Sequence, residues 1–242
     1  MIAALVSATL VVAPVATYAQ SRTVPVTLVA VEPIRGIGAC STRDDHGSPT
    51  WQRFLEARAL DDDEESKRVF AALADTLRAE ADLRPSDVEA QYALAAVLGA
   101  YAEAEEGRAK VRAAKALHDQ LEVVFALDPR HPGAHHLLGR LHAAVRRMDG
   151  FTRFIASRFL GGGALSGASW AQARRGLEAA VLGDPCVPDH HYELARLYAE
   201  RGHPVAARER LLGLLALPRS GPAYAEVFEQ GRALLETLDD QH

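Results

Sequence analysis

Cysteine, methionine and aromatic side chains are all scarce in this chain. Two cysteines in 242 residues exclude a disulfide-dense scaffold and a Cys-rich zinc module. Aromatics make up 6% of the residues, and Ala and Leu dominate the hydrophobic set, which is a helical composition. Neither charge prevails strongly. With 27 Lys+Arg against 32 Asp+Glu and a net charge of −5, the chain is not a general nucleic-acid binder. Charged residues at 24% exclude wholesale disorder. Catalytic signatures are missing too: there is no His-Glu-x-x-His, no Cys-x-x-Cys and no Gly-x-Ser-x-Gly. Gly161-Gly162-Gly163 lacks the preceding strand and following Lys of a phosphate loop and reads as a helix stop. The expectation is a protein that is not an enzyme and carries no cofactor.

What is present begins with an uncharged stretch over residues 2–19, broken by Pro14 and ending in Thr17-Tyr18-Ala19. Small residues at the two positions a signal peptidase reads predict a secretory signal peptide over 1–19, cleaved after Ala19. The other reading is an uncleaved anchor. Cleavage places the chain in the periplasm or envelope, and no later stretch is apolar for the 18 residues a membrane span needs. Residues 20–47, with Pro25, Pro33, Gly36, Gly38 and Gly47, read as an extended N-terminal arm. From residue 48 to 242 the pattern is helical. The expected helices are roughly 49–60, 63–82, 87–104, 107–127, 132–148, 151–160, 168–183, 188–201, 204–216 and 222–239. Ser48-Pro49 and the box Ser86-Asp87-Val88-Glu89 mark two of the starts.

The helical region repeats itself. Residues 91–98, 135–142 and 191–198 superpose without a gap, each carrying Leu, then a small residue, then a bulky one three further on: Leu94-Ala95, Leu138-Gly139 and Leu194-Ala195. This resembles the first helix of a tetratricopeptide repeat. Ala173, Leu177, Ala180 and Pro185 match the second-helix pattern of that family. The resemblance implies an all-α fold, a right-handed helical solenoid of three to four helix pairs. Ala95, Gly139 and Ala195 are then expected at tight helix crossings, with Leu94, Leu138 and Leu194 buried. Spacings of 44 and 56 residues exceed the plain repeat of 34, so about 10 and 22 residues are inserted within repeats. The second insertion contains an extra amphipathic helix, 151–160, with Phe151, Phe154, Ile155, Phe159 and Leu160 on one face.

Between residues 140 and 175 seven Arg face a single acid, Asp149. The candidate binding residues are therefore Arg140, Arg146, Arg147, Phe151, Arg153, Phe154, Arg158 and Phe159. They would form a basic, aromatic-lined groove for an anionic partner such as an acidic peptide or a phospholipid headgroup. The alternative is a helix that plugs the solenoid with its phenylalanines and leaves its arginines in water. The run Leu138-Gly139-Arg140, then Gly150 to Gly161, then Ala168-Ser169-Trp170 leading into Ala173 to Ala180, resembles the regulator of microtubule dynamics family and its bacterial relatives. That resemblance covers about residues 63–218. It implies a tetratricopeptide-like helical domain with this same inserted helix, and a non-enzymatic adaptor role.

Two functional classes follow. One is a scaffold that grips a protein or peptide partner in the groove; the other is a carrier of a small anionic amphiphile under helix 151–160. Ten His invite a metal reading, but His135 and His191 share one repeat position, which points to shared packing, and no metal site is expected. Cys40 lies in the arm and Cys186 in the turn Asp184-Pro185-Cys186-Val187-Pro188. An exported chain folds where disulfides persist, so the two are expected to pair, the other reading being two unrelated thiols.

Overall fold

Helix starts in this chain are set by side chains that satisfy the unpaired N–H groups of the first turn. The computed structural model describes residues 40, 49–60, 62–148, 167–218 and 224–240. In it, Asp62 accepts from the N–H of Glu64 and of Glu65 at 2.9 Å, and Ser169 accepts from that of Gln172 at 3.2 Å. The box at residue 86 starts one residue later than its pattern suggests: Asp87, whose carboxylate takes the N–H of Glu89 and Ala90, is the cap. Pro132, Pro188 and Pro204 each open a helix, where no N–H is needed.

Nine helices result among the described residues, and no strand. They are α1 Pro49–Arg58, α2 Asp63–Leu83, α3 Val88–Ala104, α4 Gly107–Leu127, α5 Pro132–Arg147, α6 Trp170–Gly183, α7 Pro188–Glu200, α8 Pro204–Leu215 and α9 Ala225–Asp239. The chain divides into two units, Met1–Val31 and Glu32–His242; the first contains no described residue, and all nine helices belong to the second. The expected signal peptide, the arm apart from Cys40, and the helix expected over 151–160 lie outside the described residues.

Each helix packs on the next in the chain, and α3 also touches α5, α5 touches α7 and α7 touches α9. The first helices of successive pairs therefore stack directly on one another. Gly202, with φ +74°, makes the reversal between α7 and α8, where the His203 N–H bonds back to the Tyr198 carbonyl at 2.9 Å. A left-handed residue at that point is what closes a helix end of this type.

The core runs lengthwise through the stack. Phe54, Leu94, Leu121 and Val124 join α1 to α5; Ala173, Leu177, Leu194 and Leu197 join α6 to α7; Leu211, Leu214, Val227 and Phe228 join α8 to α9. Helices α5 and α6 meet backbone to backbone. A Cβ on Gly139 would stand 2.8 Å from Leu177 Cγ and 2.9 Å from the Leu177 backbone nitrogen. A Cβ on Gly176 would meet the His135 carbonyl at 2.9 Å and Gly139 Cα at 3.0 Å. The two backbones touch, and any side chain between them would force them apart. Ala95 and Ala195 are fully buried. Leu94 and Leu194 are buried as the repeat requires, but Leu138 is only half-buried. On α5 it is the preceding Leu137 that turns inward, its Cδ2 lying 3.4 Å from where a Cβ on Gly99 of α3 would be.

Two inter-pair turns are built alike. Asp128 Oδ1 accepts from Arg130 N–H at 2.9 Å, and Asp184 Oδ1 accepts from Cys186 N–H at 3.0 Å. His135 Nε2 donates to the Pro129 carbonyl at 3.0 Å, and His191 Nε2 to that of Pro185 at 2.8 Å. The same three roles recur 56 residues apart: Asp closes the turn, Pro exposes a carbonyl, and a His six residues on ties that carbonyl to the next helix. These histidines serve packing and turn closure.

Candidate binding groove

The stacked first helices leave an open cleft of about 870 Å³ along α1, α3, α5 and the start of α7. Small residues make the room: Ala93, Ala96, Gly99 and Ala100 line it from α3, and Ala144 from α5. On α3 the lining follows the helical spacing Tyr92, Ala96, Gly99, Glu103, one face of 3.6-residue periodicity. On α5 it follows His136, Arg140, Ala144 and Met148.

Arg140 sits at the centre, with a quarter of its side chain exposed. It pairs with Glu103 of α3 and, through Nε at 3.4 Å, with Glu193 of α7. Burial disfavours its charge, yet Glu103, Glu193 and Asp189 together outweigh that and raise its pKa. Glu193 is itself buried and also faces Arg196 at 3.3 Å. One guanidinium thus clasps three consecutive first helices.

Beside Arg140 lie two buried imidazoles. His136 and His190, at 6% and 4% exposure, stack with ring centroids 4.9 Å apart. His190 Nδ1 donates to the Asp184 carbonyl at 3.1 Å. His136 Nδ1 is buried and has no hydrogen-bond partner among the described residues. Burial first, then His190, Arg140 and Arg58, hold the His136 pKa well below the ordinary histidine value. Burial also lowers that of His190, against the opposing pull of the Asp184 carbonyl and Asp189. Both rings are therefore neutral at pH 7. At the far end His131 caps α5, its Nδ1 accepting from Ala134 N–H at 3.1 Å, and stacks on Tyr92 with centroids 4.4 Å apart. Burial raises the Tyr92 phenol above its ordinary pKa.

Of the residues singled out by the arginine run, Arg140 lines the cleft and Arg146 and Arg147 do not. Arg147 is engaged elsewhere, by Glu200 of α7, with Nη2 at 2.8 Å and Nε at 3.1 Å from one carboxylate oxygen. Phe151, Arg153, Phe154, Arg158 and Phe159 lie outside the described residues. The groove also contains Tyr92 and Glu103, which the sequence reading passed over, and His136, weighed there only as a metal ligand, and Glu193 stands behind Arg140. Their signal was the shared helical face, which is visible only once the open side of α3 and α5 is known.

Cys40 and Cys186 are joined by a disulfide, their Cα atoms 5.4 Å apart across 146 residues of sequence. Cys40 packs against the α7–α9 core. Among the described residues no three His, Cys, Asp or Glu converge as metal ligands, and no helix is long and apolar enough to cross a membrane.

No individual curated protein matches the chain. The sequence model of one family, regulator of microtubule dynamics protein 1-3, matches residues 52–239, a span that takes in every helix from within α1 to the last residue of α9. That covers well over half of the chain, which belongs to the regulator of microtubule dynamics protein 1-3 family.

Proposed function

We propose that this chain is a non-enzymatic, tetratricopeptide-like scaffold that holds a protein or peptide partner in its groove, in the cell envelope. The observation that carries the reading is the cleft along the stacked first helices. A row of aligned helices with small residues between polar ones offers a long, shallow, chemically mixed surface, which suits a chain segment better than a compact metabolite. Export behind residues 1–19 fits a chain whose only two cysteines are bonded to each other, since disulfides persist in oxidising compartments. The carrier reading needs cations free to meet an anionic headgroup. Arg140 and Arg147 are both held by carboxylates of the chain itself, which supports the scaffold; Arg153 and Arg158, beside which a carrier's cavity would open, lie outside the described residues.

The test places a photo-crosslinking amino acid at Arg58, an exposed groove residue, and at Val205, exposed on α8. A protein adduct formed in cells from position 58 and not from 205 is the expected result. No protein adduct from position 58, together with a lipid in native mass spectra of the purified protein, would replace the scaffold by the carrier.

A further inference from the structure

We propose that the partner segment seated in the groove is basic, carrying Lys or Arg side chains whose N–H groups meet the groove's carboxylates and His136. This rests on the scaffold reading above and names the partner's chemistry.

Charge is the first observation. Five carboxylates line the cleft against three cations, Arg58, Lys110 and Arg140. Arg140 is already balanced by Glu103 and Glu193, and Lys110 donates to the Glu103 carbonyl at 3.2 Å. Glu89 and Asp189 both line the cleft, and among the described residues neither forms an ion pair with Lys or Arg, although Asp189 adds to the field on Arg140. Glu89 is three-quarters exposed and faces His131 at 3.5 Å. Asp128 gives one oxygen to the Arg130 N–H and forms no ion pair among the described residues. Of the basic surplus between residues 140 and 175, Arg140 alone among the described residues lines this cleft, and the carboxylates there outnumber the cations.

The second observation is independent of charge. His136 is more than nine-tenths buried, it lines the cleft, and its Nδ1 has no partner among the described residues. A buried imidazole nitrogen left without a hydrogen bond costs stability unless something supplies one. A neutral imidazole keeps one bare acceptor nitrogen, and ammonium and guanidinium groups are donors only. The floor of Ala93, Ala96 and Ala100 matches the methylene stems that such side chains lay along apolar surface while their heads reach polar groups.

The experiment uses the oxidised full chain and two fluorescent peptides of equal length and apolar content, one with Lys and one with Glu at alternate positions. Fluorescence anisotropy reads their binding at low and high ionic strength. The Lys peptide is expected to bind, with affinity falling as salt rises. Glu89→Gln and Asp189→Asn should each weaken it roughly two- to fivefold. His136→Phe, which keeps a buried ring and removes the nitrogens, should weaken it about tenfold. Glu89→Gln alters only an exposed side chain, so it stays informative if His136→Phe fails to fold. Preference for the Glu peptide, or Lys-peptide binding unmoved by Glu89→Gln and Asp189→Asn, overturns the basic-partner proposal and leaves the scaffold standing. Binding of neither peptide, with binding to vesicles of anionic phospholipid, overturns both.

Discussion

Replacing glycine by alanine should have opposite effects at two places in this stack. At Gly99 of α3 an added Cβ meets Leu137 Cδ2 at 3.4 Å and Leu117 Cδ2 at 3.8 Å. These are ordinary contacts with the flexible ends of side chains, so nothing must move. Alanine there removes glycine's excess freedom in the unfolded chain and its poor helix propensity, a gain of about 0.5–1 kcal/mol. At Gly139 of α5 the same Cβ meets Leu177 Cγ at 2.8 Å, the Leu177 nitrogen at 2.9 Å and the Ala173 carbonyl at 3.0 Å. Two of the three are backbone atoms of α6 and cannot step aside without moving the helix. Overpacking of this kind costs about 1–3 kcal/mol or more, against the same propensity gain. The net expectation is a loss of about 1–2 kcal/mol for Gly139→Ala, and a gain of up to about 1 kcal/mol for Gly99→Ala. Urea unfolding of the oxidised protein, followed by far-ultraviolet circular dichroism, measures both. Equal stabilisation by the two substitutions would show that α5 and α6 do not cross in backbone contact.

The remaining expectations concern charge, pH and the crosslink. Arg140→Met leaves the buried Glu193 with Arg196 alone and should destabilise by about 1–3 kcal/mol, whereas Arg147→Met, at a pair about one-third exposed on each side, should cost under about 1 kcal/mol; urea titrations that reverse the order would refute the central clasp. His191 is fully buried and burial, ahead of its other neighbours, holds its pKa down to about 4. The folded chain then binds fewer protons than the unfolded one. Its contribution is present in full above about pH 6.5 and is lost as pH falls toward 4, worth about 3 kcal/mol; His136 and His190 add in the same direction. Stability that stays flat from pH 7 to pH 4 would contradict the buried neutral rings. Cys186→Ser opens a loop of 146 residues, for which loop entropy gives an upper figure of about 5 kcal/mol; an unchanged urea midpoint under oxidising conditions would refute the staple.

Helix positions were legible because the punctuation is local. Pro132, Pro188 and Pro204 can only open a helix, and Asp62 and Ser169 sit within three residues of the N–H groups they cap. The crossing at Gly139 was legible because it stands in a repeated Leu-small pattern. Its partner Gly176 was not, because it stands outside that pattern and only the packed α6 shows what faces it. The groove was hardest to read. The arginine run indicated charge in α5, but the carboxylates that hold it come from 37 residues before Arg140 and 53 residues after Arg140 and Arg147. A sequence shows how many charges a stretch carries and is silent on which opposite charges the fold sets against it.

The disulfide changes how the molecule answers to a pull. In a stack where each helix leans on its neighbours along the chain, tension between the two ends would ordinarily run through every pair and peel them away one after another. The bond between Cys40 and Cys186 is a short circuit in that path. Force entering ahead of Cys40 crosses directly to the turn before α7, so α1 to α6, together with most of the groove, hang outside the load as a slack loop. Only α7, α8 and α9 are left to bear it. While the bond is oxidised, a chain tethered ahead of Cys40 and drawn from its other end keeps its groove unstretched; once reduced, the same pull reaches α1 first.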